Sequence, residues 1–133
     1  MIISFFGHSS YSYCEEDENR LLELIETVSK GSQIDFYLGG YGNFDSLAKM
    51  CAKRYQQKHP NAKIIFVTPY LSKWLDDRKD YIEKEYDEIL YPELEHTPPK
   101  YAISKRNEWM VRQSDYVFVY VKTHFGGAYN ALL

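Results

Sequence analysis

The sequence is poor in several things, and each scarcity removes a class of function. It has two cysteines, Cys14 and Cys51, with neither a CxxC pattern nor metal-ligand spacing. A disulfide-stapled scaffold and a zinc ribbon are therefore not expected, and free thiols in a reducing cytoplasm are. No run of Lys and Arg exceeds two residues, and the net charge is −3 with a pI of about 5.8. Nucleic-acid binding needs clustered basic residues, so it is disfavoured. No apolar run approaches the ~20 residues that span a bilayer. The opening MIISFFGHSS lacks a basic leader and a full apolar segment, so a first strand is expected there rather than a signal peptide. Glycine is sparse too, at seven residues, yet five of them fall in two clusters, 39–42 and 126–127.

Tyrosine is abundant by contrast, at 13 of 133 residues. Its ring suits cleft walls and its hydroxyl suits polar contacts, although composition alone does not separate use from lineage bias. The length fits one domain, residues 1–133, able to bury a core without staples. The acidic run EEDE at 15–18 complements the positive end of a helix. A metal site is the weaker reading of that run, because consecutive helical residues do not converge on one point.

Strand and helix patterns alternate along the chain. IISFF (2–6) reads as a buried strand, and residues 16–30 carry a helical stripe at Leu21, Leu22, Leu24, Ile25 and Val28 that stops at Gly31. IDFYL (34–38) is a second strand. A helix follows with Phe44, Leu47, Ala48, Cys51 and Tyr55 on one face, then the strand KIIFVT (63–68) stopped by Pro69. Trp74, Tyr81, Ile82, Tyr86 and Ile89 hint at a short helix before a possible strand EILY (88–91), and ELEHTPPK (93–100) is a loop. Ile103–Gln113 is a helix, YVFVYV (116–121) a strand apolar throughout, and a last helix begins near Gly126. This order predicts an α/β fold: an open, mainly parallel, Rossmann-like sheet of about five strands with helices on both faces.

In such sheets ligands bind beyond the carboxyl ends of the strands. Four segments fall there: Gly7-His8-Ser9-Ser10, then Gly39-Gly40-Tyr41-Gly42-Asn43-Phe44-Asp45, then Thr68-Pro69-Tyr70, and Thr123-His124-Phe125-Gly126-Gly127. Two are glycine-rich and lead into helices, which favours an anionic, nucleotide-like ligand held by backbone N–H groups. Neither fits GxGxxG or GxxxxGK[ST], which argues against an ordinary dinucleotide site or a P-loop.

On the helix from Ile103, residues 103, 106, 107 and 110 share one face, so Arg106 and Asn107 are expected to turn inward. An inward arginine needs an anionic partner. Two readings stand: an ion pair with Asp115, Asp45 or a loop carboxylate, or a bound phosphate. Asp45 either caps the second helix or serves a ligand as ribose partner or base. His8 and His124 each either contact a ligand or close a turn. His59, before Pro60, ends a helix. His96 lies in a proline loop with no second histidine at ligand spacing, so no metal site is expected.

Taken together, Phe6-Gly7-His8, the loop GGYGNFD at 39–45, and RNEWMVRQSDYVFVYVKTHFGGAYNAL resemble the Lonely-guy (LOG) and SLOG superfamily. That superfamily carries R-K/N-x-x-M-x-x-x-S-D, a hydrophobic strand, then P-G-G-x-G-T-x-x-E. The nearer likeness is to a branch of small Firmicute and phage proteins. The resemblance implies a Rossmann-like fold that binds nucleotides or their derivatives. Arg106 matches the arginine that, in the Lonely-guy enzymes, helps cleave an N-glycosidic bond and release ribose 5-phosphate. The matching glutamate is absent: Leu132 and Leu133 occupy its place, and Tyr129-Asn130 replace the Gly-Thr. Without a carboxylate near the sugar, turnover is not expected.

The expected function is therefore a sensor or carrier of a small nucleotide, without catalysis and without a required cofactor. Backbone contacts come from Gly7, Gly39, Gly40, Gly42, Gly126 and Gly127. Charge neutralisation comes from Arg106, and polar contacts from His8, Ser9, Ser10, Asp45 and Asn107. Tyr41 or Tyr70 stacks on the base. The alternative is a hydrolase of nucleoside monophosphates with Asp45 as acid/base and Arg106 orienting substrate. A third possibility is a scaffold whose glycines only make turns. The last helix has at most about two turns before Leu133, whether the chain is naturally short or truncated; its exposed apolar end points to a homo-oligomer, and the free thiols to the cytoplasm.

Overall fold

The apolar opening run forms strand β1 (Ile2–Gly7), whose Ile3 to Phe6 are buried on both faces. The computed structural model describes residues 1–7, 12–40 and 42–120. The elements that follow are α1 (Glu15–Ser29), β2 (Asp35–Leu38), α2 (Asn43–Lys58), β3 (Lys63–Val67), α3 (Lys73–Glu85), β4 (Glu88–Leu90), a 3₁₀ turn (Pro99–Tyr101), α4 (Ala102–Gln113) and β5 (Tyr116–Tyr120). The expected final helix from Gly126 lies outside the described residues.

The strands form one open sheet in the order β4-β3-β2-β1-β5, parallel at every pairing. The chain steps outward from β1 to β4, then returns to place β5 on the other side of β1. Right-handed connections put the helices of the outward steps on one face and the helix of the return step on the other. Packing follows that rule. Leu21 and Ile25 of α1, Phe44 to Tyr55 of α2 and Ile82 of α3 join Ile3, Phe5, Phe36, Leu38, Ile64 and Phe66 in one core. Met110 and Trp109 of α4 pack with Phe6, Tyr37, Ile65 and Val67 on the opposite face.

Local chemistry explains the helix ends. Glu15 to Glu18 fill the first turn of α1, where negative charge meets the helix dipole, and the Asp17 carboxylate accepts from the Cys14 backbone N–H at 3.1 Å. The Ser72 hydroxyl caps α3, accepting from the Trp74 N–H at 3.3 Å. The expected stripe of α2 is buried throughout. That of α1 is narrower than expected, since Leu24 is 46% exposed.

The sequence Ser114-Asp115 has a structural use. The Ser114 hydroxyl donates to the Met110 carbonyl at 2.6 Å and lies 2.6 Å from the hydroxyl of fully buried Ser4. Asp115 accepts from the Ile2 N–H at 2.8 Å. The turn between α4 and β5 is thereby locked to β1. β5 itself is less covered than its apolar sequence implies, because it forms an edge of the described sheet; Tyr116 is exposed and the rest is half-buried.

Tyr55 is fully buried, edge-on to Phe36 with ring centroids 5.7 Å apart and stacked on His59. Its hydroxyl has no hydrogen-bond partner among the described residues. A buried unsatisfied hydroxyl is destabilising, so Tyr55→Phe is expected to leave stability unchanged or raise it by about 1 kcal/mol. Urea unfolding measures this directly; a clear loss would mean that the hydroxyl has a bonding partner in solution.

Candidate functional site

The carboxyl ends of β1, β2 and β3 lie side by side, ending at Gly7, Leu38 and Val67. Across the ends of β2 and β3 lies Arg106. It comes from the first turns of α4, is only 7% exposed, and reaches over the sheet from that helix's face. Its Nη1 donates to the Val67 carbonyl at 3.0 Å and to the Gly39 carbonyl at 3.4 Å. Its Nε donates to Asn107 Oδ1 at 3.0 Å. Oxygens at the ends of two strands thus take the role expected of a carboxylate.

Of the ion-pair partners expected from the sequence, Asp45 acts on Arg106 electrostatically and Asp115 does not meet it. Asp115 serves Ile2, and no ion pair among the described residues includes Arg106. Burial lowers the pKa of the guanidinium from its ordinary value; Asp45 and Tyr70 push it back up. Nη2 has no hydrogen bond among the described residues. The inward face of α4 also differs from the expected one by a residue. Ala102, Arg106 and Met110 are buried while Ile103 is 50% exposed, because the helix approaches the sheet through the small Ala102.

Asp45 is the third residue of α2 and not its cap; Gly42 occupies the cap, where its carbonyl accepts from the Ser46 N–H at 3.2 Å. The expected capping role is therefore corrected. The half-buried carboxylate of Asp45 acts on Arg106 and, after burial, is the next cause of the raised pKa of Tyr86.

Three of the glycines expected to approach a phosphate, Gly7, Gly39 and Gly40, have close protein neighbours. A Cβ at Gly7 would fall 2.2 Å from the Phe44 ring, and one at Gly40 would fall 2.3 Å from the Phe66 ring. One at Gly39 would meet the Arg106 guanidinium. Asn107 is half-buried, with its Oδ1 engaged by Arg106. His8, Ser9, Ser10, Tyr41, His124, Gly126 and Gly127 lie outside the described residues.

Tyr70, one of the two tyrosines expected to stack on a base, is anchored at its hydroxyl. Its hydroxyl donates to the Pro99 carbonyl at 3.3 Å and its ring sits edge-on to Trp74. Thr68, fully buried, shapes this loop: its hydroxyl donates to the Tyr70 carbonyl at 2.8 Å and accepts from the Tyr70 N–H at 3.2 Å. The sequence reading gave no site role to Trp74, whose ring stacks on Phe66 and carries the Arg78 guanidinium 4.5 Å from its centroid. Only its position just after strand β3 could have singled it out.

A depression of about 440 Å³ lies at the opposite end of the sheet, lined by Gln33, Gln56, Asn61, Lys63, Asp87 and Glu88 among others. Its polar groups are largely spent on one another: Asp87 accepts from Ile64 and Gln56, and Lys63 pairs with Glu88. No group of three or more His, Cys, Asp or Glu among the described residues could hold a metal ion, and no described helix is long and apolar enough to cross a membrane. Comparison with family models finds no match for the chain, and a search of curated proteins finds none.

Proposed function

We propose that this chain binds a small nucleotide or nucleotide derivative as a sensor or carrier, in the manner of a SLOG-type module and without catalysis. One observation carries the reading. Arg106 is a buried cation set across the carboxyl ends of two parallel strands, held by neutral oxygens and, among the described residues, with no hydrogen bond at Nη2. A buried charge is costly, and a guanidinium that among the described residues bonds only to neutral oxygens, at the ligand end of an α/β sheet, suits an anionic group. The resemblance of RNEWMVRQSD and GGYGNFD to the SLOG pattern supports the same reading. A cytoplasmic homo-oligomer is part of the proposal, and light scattering of the purified chain tests the assembly.

The test of binding is a thermal-shift screen against nucleoside mono-, di- and triphosphates, cyclic nucleotides, NAD and ADP-ribose, each at about 1 mM. A ligand at 100 times its Kd adds about 2.7 kcal/mol, a rise of several degrees. Arg106→Ala is expected to weaken binding of any hit by about 1.5–3 kcal/mol, the range of charge-assisted hydrogen bonds. Unchanged affinity would make Arg106 a structural clamp on β2 and β3. Release of free base from AMP, lost in Asp45→Asn, would instead favour an N-glycoside hydrolase. A flat screen with the fold intact would favour a scaffold.

A further inference from the structure

Gly39 needs an explanation of its own. Its neighbours Gly40 and Gly42 have φ of 72° and 92°, a region that glycine alone enters readily. Gly39 is not among the residues with positive φ, so its backbone would accept a side chain. The space would not. The three atoms nearest to a Cβ built there are Nη2, Cζ and Nη1 of Arg106, at 3.0, 3.1 and 3.2 Å. The guanidinium lies on the bare Cα of Gly39 and also donates to the Gly39 carbonyl.

We infer that Gly39 is a positioning residue for Arg106: its missing side chain is the seat that fixes where the guanidinium lies above β2 and β3. The use of that seat rests on the nucleotide-site reading; its existence does not. A methyl group at Gly39 displaces the plane by a few tenths of an ångström. The long 3.4 Å bond to Gly39 is lost first, and the bonds at 3.0 Å to Val67 and Asn107 then bend. Recognition of a phosphate by a planar guanidinium depends on the angle of its fork, so a small tilt is enough to weaken it.

The test uses four full-length chains: the native one, Gly39→Ala, Arg106→Ala and the double variant. The arginine Nε–H resonance missing from Arg106→Ala identifies Arg106. In Gly39→Ala this resonance is expected to shift and to exchange with solvent about tenfold faster, as a weakened hydrogen bond implies. AMP affinity, by calorimetry, is expected to fall about tenfold in Gly39→Ala and to fall no further when that change is added to Arg106→Ala. An unmoved resonance overturns the seat. An equal loss of affinity in both backgrounds also overturns it, because Gly39 would then touch the ligand directly. If the native chain binds neither AMP nor any nucleotide of the screen, the site reading falls, and the resonance alone decides the seat. If Gly39→Ala does not fold, recovery of the fold in the double variant supports the seat and failure to recover overturns it.

Discussion

Gly40→Ala is expected to destabilise the protein by about 2–5 kcal/mol, with a fall in Tm on the order of 10 °C. Two independent penalties combine. The backbone at Gly40 has φ of 72°, where an L side chain crowds the following carbonyl at a cost of about 1–2 kcal/mol. The new methyl would also stand 2.3 Å from Cε2 and 2.8 Å from Cδ2 of Phe66. That ring is 2% exposed, and inserting a group into a packed core costs about 1–3 kcal/mol. Urea unfolding with an unchanged m-value would show the loss as stability alone. A Tm within about 2 °C of the native value would mean that Phe66 turns aside freely, contrary to its packing.

Phe66→Ala is expected to cost about 3–5 kcal/mol, the usual range for emptying a buried aromatic site. The ring stacks on Trp74 at 6.2 Å and leans on Tyr86 at 5.3 Å, so the cavity opens between α3 and the sheet. The two variants are coupled. With the ring gone, the methyl at Gly40 enters vacated space, and only the backbone penalty of about 1–2 kcal/mol remains. Gly40→Ala/Phe66→Ala should therefore cost measurably less than the sum of its parts. Strict additivity would show that the ring and Gly40 do not compete for the same volume.

Much of the fold was legible because burial leaves a period in the sequence. Phe44, Leu47, Ala48, Cys51 and Tyr55 mark one side of α2, and all five are buried as that spacing requires. The short run 73–85 was harder, since its exposed Tyr81 and half-buried Trp74 blur the stripe that buried Ile82 marks. On α4 a bulky Ile103 attracts the eye, whereas the helix packs through Ala102; a reading by size favours the wrong turn of the stripe.

The site was legible only in outline. That Arg106 turns inward follows from helical spacing, but its acceptors are the carbonyls of Val67 and Gly39, and a main-chain oxygen has no signature in any side chain. A glycine likewise announces that a Cβ is unwelcome without saying who objects. At Gly7 the objector is Phe44, at Gly40 it is Phe66, and at Gly39 it is Arg106. Each of these partners is remote enough in sequence, or placed by enough intervening structure, that only the folded chain identifies it.

The placement of β5 beside β1 also governs how the chain reaches this fold. The Ile2 N–H waits for a carboxylate 113 residues later, and β1 pairs with β5 along its length from Ile3 to Gly7. The first strand of the described chain is thus an interior strand of the sheet, and one of its edges stays open until nearly all of the described chain has been synthesised. β1 to β4 can zip successively through neighbouring connections, but the last pairing closes a loop of more than a hundred residues, the slowest kind of contact to form. During that interval the unpaired edge of β1, with Phe5 and Phe6 beside it, is the surface on which nascent chains would join one another.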